Sequence, residues 1–255
     1  MLVTPYNHDW PGVFKEESNR VKQALGLNCV IALHIGSTAV PGLAAKPVID
    51  IIAVVKNILT VDSRNERMAE LGFAPYGEKG VPFRRLFKKE TPTAVNVHVY
   101  EKRNPEIDRH LRFRDYLRDH SEDSKAYGEL KEQLAKNHPD DIDAYTQGKS
   151  EFVRGIDSKA GFDGMCMVQV YTLEEIAAYQ EITGQSPEQL ADNFYFVLRH
   201  GVEIVGASRV EFIEDAQAII HPISIKPNHV TEHLEDEMTY LLERWVEEQG
   251  IAVVD

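Results

Sequence analysis

Cys29-Val-Ile-Ala-Leu-His-Ile35, then Gly36-Ser37-Thr38-Ala39-Val40-Pro41-Gly42-Leu43, then Val48-Ile-Asp-Ile-Ile-Ala-Val-Val55 are the stretches on which the fold turns. The first and last are short, continuous apolar runs, the pattern of buried strands. The segment between them is rich in small residues and reads as a loop. The second strand is apolar on both faces except at Asp50. A carboxylate among Val and Ile is costly to bury unless it is paired or binds a cation, and Asp has poor strand propensity. Two readings stay open. Asp50 caps nearby backbone or pairs with Lys46, or it serves a metal or nucleotide site.

Working outward, residues 9–25 predict a helix. Trp10, Val13, Phe14, Val21, Ala24 and Leu25 keep a helical period, Pro11 suits the first turn and Gly26 the stop. Residues 61–71 read as a helix ending at Gly72, and 83–88 and 94–100 as strands. From 105 to 156 the pattern is helical, with breaks near Ser121 and at His138-Pro139. The first half is thus a small mixed sheet with a helical cap. The second half restarts with a strand at 165–171, and Thr172 caps a helix with Glu175 at the capping-box position. Strands follow at 193–199, 202–213 and 216–226, with hairpins marked by Gly201 and by Glu214-Asp215. A helix at 232–249 ends at Gly250, before a short strand over 251–254.

Charge divides the chain in the same place. Residues 1–158 hold 23 Lys+Arg and 23 Asp+Glu; residues 159–255 hold 5 and 18, the whole net charge of −13. The join is expected near Asp157-Ser158-Lys159-Ala160-Gly161, giving domains 1–158 and 163–255. The acidic half repels polyanions, which argues against general nucleic-acid binding. At 43% apolar and 27% charged the composition is globular. No apolar run is long enough for a membrane span, and the N-terminus lacks the pattern of a signal peptide. Cys29 and Cys166 sit in apolar runs without metal-ligand spacing, so the expectation is a cytoplasmic protein with two buried thiols.

Polar groups gather around the first two strands. His34 shares a strand face with Ala32 and Gly36. His98 shares one with Asn96 in Val95-Asn96-Val97-His98-Val99. Ser37 and Thr38 supply hydroxyls, and Gly36 lets backbone approach a phosphate. Basic residues favour an anionic ligand: Lys46, Arg84, Arg85, Lys88, Lys89, Arg114, Arg118, Lys131 and Lys149. The alternative for Lys88, Lys89 and Arg118 is a solvated basic face.

The run from His34 to Ile51, His-Ile-Gly-Ser-Thr-Ala-Val-Pro-Gly-Leu-Ala-Ala-Lys-Pro-Val-Ile-Asp-Ile, resembles the signature of the GrpB family, within the nucleotidyltransferase-fold superfamily. Asp9-Trp10-Pro11, Val97-His98-Val99-Tyr100, Phe113-Arg-Asp-Tyr-Leu-Arg118 and Tyr145-Thr-Gln-Gly-Lys149 match as well. The resemblance covers about residues 1–156. It implies an α/β (α+β) fold: a mixed sheet, flanking helices and a Gly-Ser loop facing a nucleotide phosphate. Active members of that superfamily carry two carboxylates two residues apart on one strand, often with a third on a neighbouring strand, and hold two metal ions. Here Ile52 stands at the second position and His98 at the candidate third-strand position. The expectation is therefore a nucleotide or phosphorylated small molecule bound by His34, Gly36, Ser37, Thr38, Lys46, Arg84, Arg85, Arg114 and Lys149. Asp50 and His98 would be the catalytic groups and the ligands of one divalent metal, magnesium or a transition metal.

Residues 165–254 resemble the first part of an acetyltransferase of the GNAT superfamily. Val205–Ile213 and Ala218–Ile225 look like its central hairpin and Leu241–Gly250 like its following helix. That superfamily cradles the CoA pyrophosphate on a glycine-rich loop. The matching segment, Lys226-Pro-Asn-His-Val-Thr-Glu-His-Leu-Glu-Asp-Glu237, has no glycine and four acids. The expectations are a truncated or degenerate module, no CoA binding, and a homodimer formed through its open sheet edge. Three functions compete on this reading: a nucleotidyltransferase-like binding or transferase domain, a non-catalytic regulatory or interaction protein built from two degenerate enzyme folds, and an acyl-CoA-dependent N-acetyltransferase.

Overall fold

The computed structural model describes residues 2–188, 192–214, 216–229 and 232–254. The chain forms two compact units, Met1–Lys79 with Arg84–Phe162, and Gly80–Phe83 with Asp163–Asp255. Gly80–Phe83, placed in the first half by the sequence, belongs to the second unit, where Phe83 is buried among Met167, Phe196 and Trp245.

In the first unit, α1 (Trp10–Leu25), β1 (Cys29–Ile35), β2 (Val48–Val55), α2 (Asn65–Glu70), β3 (Ala74–Pro75), β4 (Arg84–Lys89) and β5 (Ala94–Glu101) precede four helices. These are α3 (Pro105–Asp119), α4 (Ser121–Asn137), α5 (Ile142–Gly148) and α6 (Ser150–Lys159). The sheet order is β1-β2-β5-β4-β3, with β2 and β5 parallel and the other pairs antiparallel. This is the expected mixed sheet and helical cap. The helix expected over 61–71 is shorter. Residues 62–64 form a 3-10 turn, in which the Ser63 hydroxyl donates to Thr60 O at 2.7 Å, a local bond that competes with helix. A further break falls between α5 and α6, at Lys149.

Register decides which side chains share a face. Ile49, Ile51, Val95, Val97, Val99 and Phe87 pack against Trp10, Val21 and Leu25 of α1. On the opposite face Asp50 stands beside Asn96, and Asn96 beside Lys88. A smaller core in the helical cap joins Val40 and Leu43 to Leu117, Tyr127 and Ile156.

The second unit contains β6 (Met165–Gln169), α7 (Leu173–Thr183), β7 (Asn193–His200), β8 (Glu203–Ile213), β9 (Gln217–Ile220), β10 (Ser224–Ile225), α8 (Glu232–Glu248) and β11 (Ala252–Val254). Its sheet runs β11-β9-β8-β7-β6, with β10 also paired to β8. Phe196, Leu198, Val210, Met238, Leu242 and Trp245 form one core, and Val197, Ala207 and Tyr179 another. The strand expected over 216–226 is split. Pro222 has no N–H for the ladder, and the chain leaves the sheet over residues 221–223. Asp215 of the expected hairpin, and Val230 and Thr231 before α8, lie outside the described residues. Cys166 is buried, but Cys29 is only partly so, and neither is in a disulfide.

The Thr172–Glu175 capping box forms as the sequence indicates. Glu175 N donates to Thr172 Oγ1 at 3.2 Å, and Thr172 N donates to Glu175 Oε2 at 2.8 Å. Thr172→Ala should lower stability by about 1 kcal/mol, read as a shift in the urea midpoint at unchanged slope.

Candidate functional site

The site assembles where β1 ends and β2 and β5 begin. Gly36 turns the chain with φ +71° and ψ −172°, a region essentially reserved for glycine. A Cβ there would stand 2.6 Å from Asp50 Oδ2, so the missing side chain also lets the loop close on the carboxylate. Ser37–Ala39 then forms a 3-10 turn, which the cap holds in place. Arg114 Nη1 donates to His34 O at 2.9 Å, and Arg118 donates to Ala39 O through Nε at 2.9 Å and Nη2 at 2.7 Å. Lys131 of α4, only 2% exposed, donates to Ser37 Oγ at 2.9 Å and to Ala44 O at 2.5 Å.

Between this loop, the sheet and α5 lies a cavity of about 460 Å³. Its lining includes Ser37, Thr38, Lys46, Asp50, Lys88, Lys89, Glu90, Asn96, Lys131, Tyr145 and Lys149. Lys89 is buried and paired with Glu17. Lys46, Lys88, Lys131 and Lys149 have no carboxylate partner within salt-bridge distance among the described residues. Instead, Lys46 Nζ sits 3.8 Å and Lys149 Nζ 5.3 Å from the centroid of the Tyr145 ring, a cation–π arrangement. Burial, with Lys149 nearby, lowers the pKa of Lys46 to about 8 and that of Lys131 to about 7. Lys149 is lowered by burial too, against the opposing pull of Asp50. A cluster of ammonium groups short of counter-charge is suited to an anion.

Asp50 accepts from Asn96 Nδ2 at 2.8 Å, and its Oδ1 lies 3.8 Å from His98 Nε2. Burial would raise its pKa, but His98, Asn96 and the charge of Lys149 outweigh burial, and the carboxyl stays below its ordinary range. The expected pairing of Asp50 with Lys46 gives way to this set of neighbours. His98 Nδ1 is 3.4 Å from Arg84 Nη1.

Of the expected site residues, Ser37, Thr38, Lys46, Asp50 and Lys149 line the cavity, Gly36 abuts Asp50, and His98 stands beside it. Four others do different work. His34 is opposite Ile51 in the register, so it faces α1 and not Asp50's side of the sheet. There it stacks on Phe14 at 4.5 Å and shares a 3.0 Å hydrogen bond with Thr38 Oγ1. Burial lowers its pKa to about 4, so the imidazole is neutral at pH 7. Arg85 is on that same side and pairs with Asp62 and Glu78. Arg84 shares Asp50's face, but it lies four residues along β4 from Lys88, about 13 Å away, and is tied to Glu78 O and Lys79 O. Arg114 braces the loop from behind.

Lys131, one of the basic residues that favour an anionic ligand, lines the cavity, as do Asn96 and Tyr145; none of the three was in the expected ligand set. Lys131 had a signal: Tyr127, Lys131 and Ala135 repeat every four residues, and all three are buried, so the lysine interrupts an apolar helix stripe.

The donor set does not fit two divalent cations. Ile52 is fully buried where a second carboxylate would stand, and β5 places Asn96 and His98 opposite Asp50 and Ile52. The expected single-metal pair, Asp50 and His98, stands together at 3.8 Å, with His34 on the other face of the sheet. Among the described residues no three His, Cys, Asp or Glu side chains gather as metal ligands.

A mixed sheet, a Gly-Ser loop braced by a helical cap and a lysine-lined cavity define a two-unit α/β protein whose candidate chemistry lies in its first unit. The chain belongs to the GrpB protein family, which matches residues 1–159. The UPF0157 protein YqkA of Bacillus subtilis is 44% identical over 156 residues, 61% of this chain but only 46% of that protein. A UPF0157 protein of Halalkalibacterium halodurans is 35% identical over 160 residues, 63% of this chain and 82% of its own. The crystal structure of the conserved protein GrpB from Enterococcus faecalis has 42% identity and a TM-score of 0.60, over 62% of this chain and 96% of that one. Among the described residues, no helix is long and apolar enough to cross a membrane.

Proposed function

We propose that the first unit binds a nucleotide or another phosphorylated small molecule in the cavity beside Gly36-Ser37. The supporting observation is the lining: Lys46, Lys88, Lys131 and Lys149, with the Ser37 and Thr38 hydroxyls, around about 460 Å³. Ammonium and hydroxyl donors are the partners that phosphate oxygens accept from, and the volume suits a small-molecule site. Asp50 lacks the second carboxylate that two-metal transfer requires, so the reading is one of binding, and a regulatory role suits it as well as a catalytic one.

Calorimetric titration of the 255-residue chain with ATP, GTP, CTP, UTP and inorganic pyrophosphate tests this. At least one should bind at a single site with a micromolar dissociation constant, about −8 kcal/mol, and binding should weaken as salt rises. No heat from any phosphorylated probe would sink the proposal.

A further inference from the structure

The sheet register sets out what faces an incoming phosphate. On Asp50's side, the neighbouring strand offers an amide, Asn96, whose Nδ2 is already donated to Asp50 Oδ1 at 2.8 Å. Next along are Ile52, fully buried, and His98. The cavity is also lined by Lys46, Lys88, Lys131 and Lys149, against the carboxylates of Asp50 and Glu90. Such a surface repels a divalent cation and neutralises a polyanion without one. Lys131 is fixed by Ser37 Oγ and Ala44 O, and Lys46 and Lys149 by the Tyr145 ring, so little ordering remains to be done when the anion enters.

Building on the binding proposed above, we infer that the cavity takes an oligophosphate free of divalent cation, the lysine ammonium groups supplying the counter-charge, and that Asp50 opposes the bound anion. Asp50 shares the cavity with the ligand, and like charges there act through a partly desolvated medium. Its service is to the protein: it receives Asn96, sits against Gly36 and holds its charge near Lys149.

The test uses the 255-residue chain and inorganic triphosphate as probe, titrated by calorimetry in excess EDTA and again in millimolar magnesium. Binding in EDTA should be at least as tight as in magnesium. Asp50→Asn keeps the shape of the side chain and can still accept from Asn96; it should tighten binding in EDTA by about tenfold, or 1.4 kcal/mol. Asn96→Asp places a second carboxylate beside Asp50 and should weaken binding in EDTA, which keeps the test open if the first variant folds poorly. Binding seen only with magnesium would overturn this inference while leaving a phosphate ligand in place. Weaker binding by a folded Asp50→Asn, or stronger magnesium-dependent binding by Asn96→Asp, would also overturn it. Heat in neither buffer would remove both this inference and the binding proposal.

Discussion

Reversing two charges at once, in Lys46→Glu with Lys149→Glu, should weaken phosphate-ligand binding by at least a hundredfold, about 3 kcal/mol or more. The two ammonium groups flank the same aromatic ring, Tyr145, which is 2% exposed. At an effective dielectric near 20, a unit charge a few ångströms from a phosphate contributes about 3–4 kcal/mol. Both lysines are only half-buried, so solvent and salt screen part of that figure. Neither lysine has an ion-pair partner among the described residues, so the change removes no salt bridge from the fold. Lys46→Met with Lys149→Met should give a smaller loss of affinity in a folded protein. Reversal of Lys125, whose side chain is 79% exposed on α4, should leave binding unchanged. Calorimetry beside circular dichroism separates these outcomes. A double reversal that folds and binds normally would place the ligand elsewhere.

Gly36→Ala should cost about 3 kcal/mol of stability or more. The backbone at φ +71°, ψ −172° disfavours any residue with a Cβ by about 1–3 kcal/mol. A methyl group 2.6 Å from Asp50 Oδ2 adds a clash that the carboxylate can relieve only by turning away from Asn96. Adding Asp50→Ser shortens the opposing side chain and should recover part of the loss. The backbone penalty should remain, which makes the double-mutant cycle non-additive. Urea unfolding of the four proteins measures each term. A single mutant as stable as the parent would show that the loop has another conformation of similar energy.

Much of the first unit is legible in the order of its residues. The apolar runs 29–35 and 48–55 have the bounds of β1 and β2; β2 is buried as expected, but β1 lies at the sheet edge and leaves Val30 and Ile31 exposed. The alternation Val95-Asn96-Val97-His98-Val99 placed His98 on one face with Asn96, and it does stand 3.8 Å from Asp50. His34 escaped the same treatment. Alternation along β1 says that His34 and Ile35 face opposite sides, but not which of them meets Asp50. The antiparallel pairing of Ile35 with Asp50 decides that, and one step of register would exchange them. Arginines show the same limit: Arg114 is among the expected ligand residues, yet its guanidinium donates to His34 O, and Arg118, with a solvated basic face as its alternative, donates to Ala39 O.

The local signals therefore determined the elements: apolar period, the Gly36 turn, the Thr172–Glu175 cap and the charge boundary before the second half. Most of these depend on residues a few positions apart, which stay neighbours whatever the rest of the chain does, although tertiary packing supplies most of the stability. The site required contacts across dozens of residues, such as Lys131 to Ser37, 94 positions apart, and Asn96 to Asp50, 46 apart. A lysine's charge can be read from its letter, but whether it meets a carboxylate, a carbonyl or an open cavity depends on what the packed helices bring to it. Among the described residues four of the lining lysines find no carboxylate within salt-bridge distance, and only the tertiary structure could set them around one space.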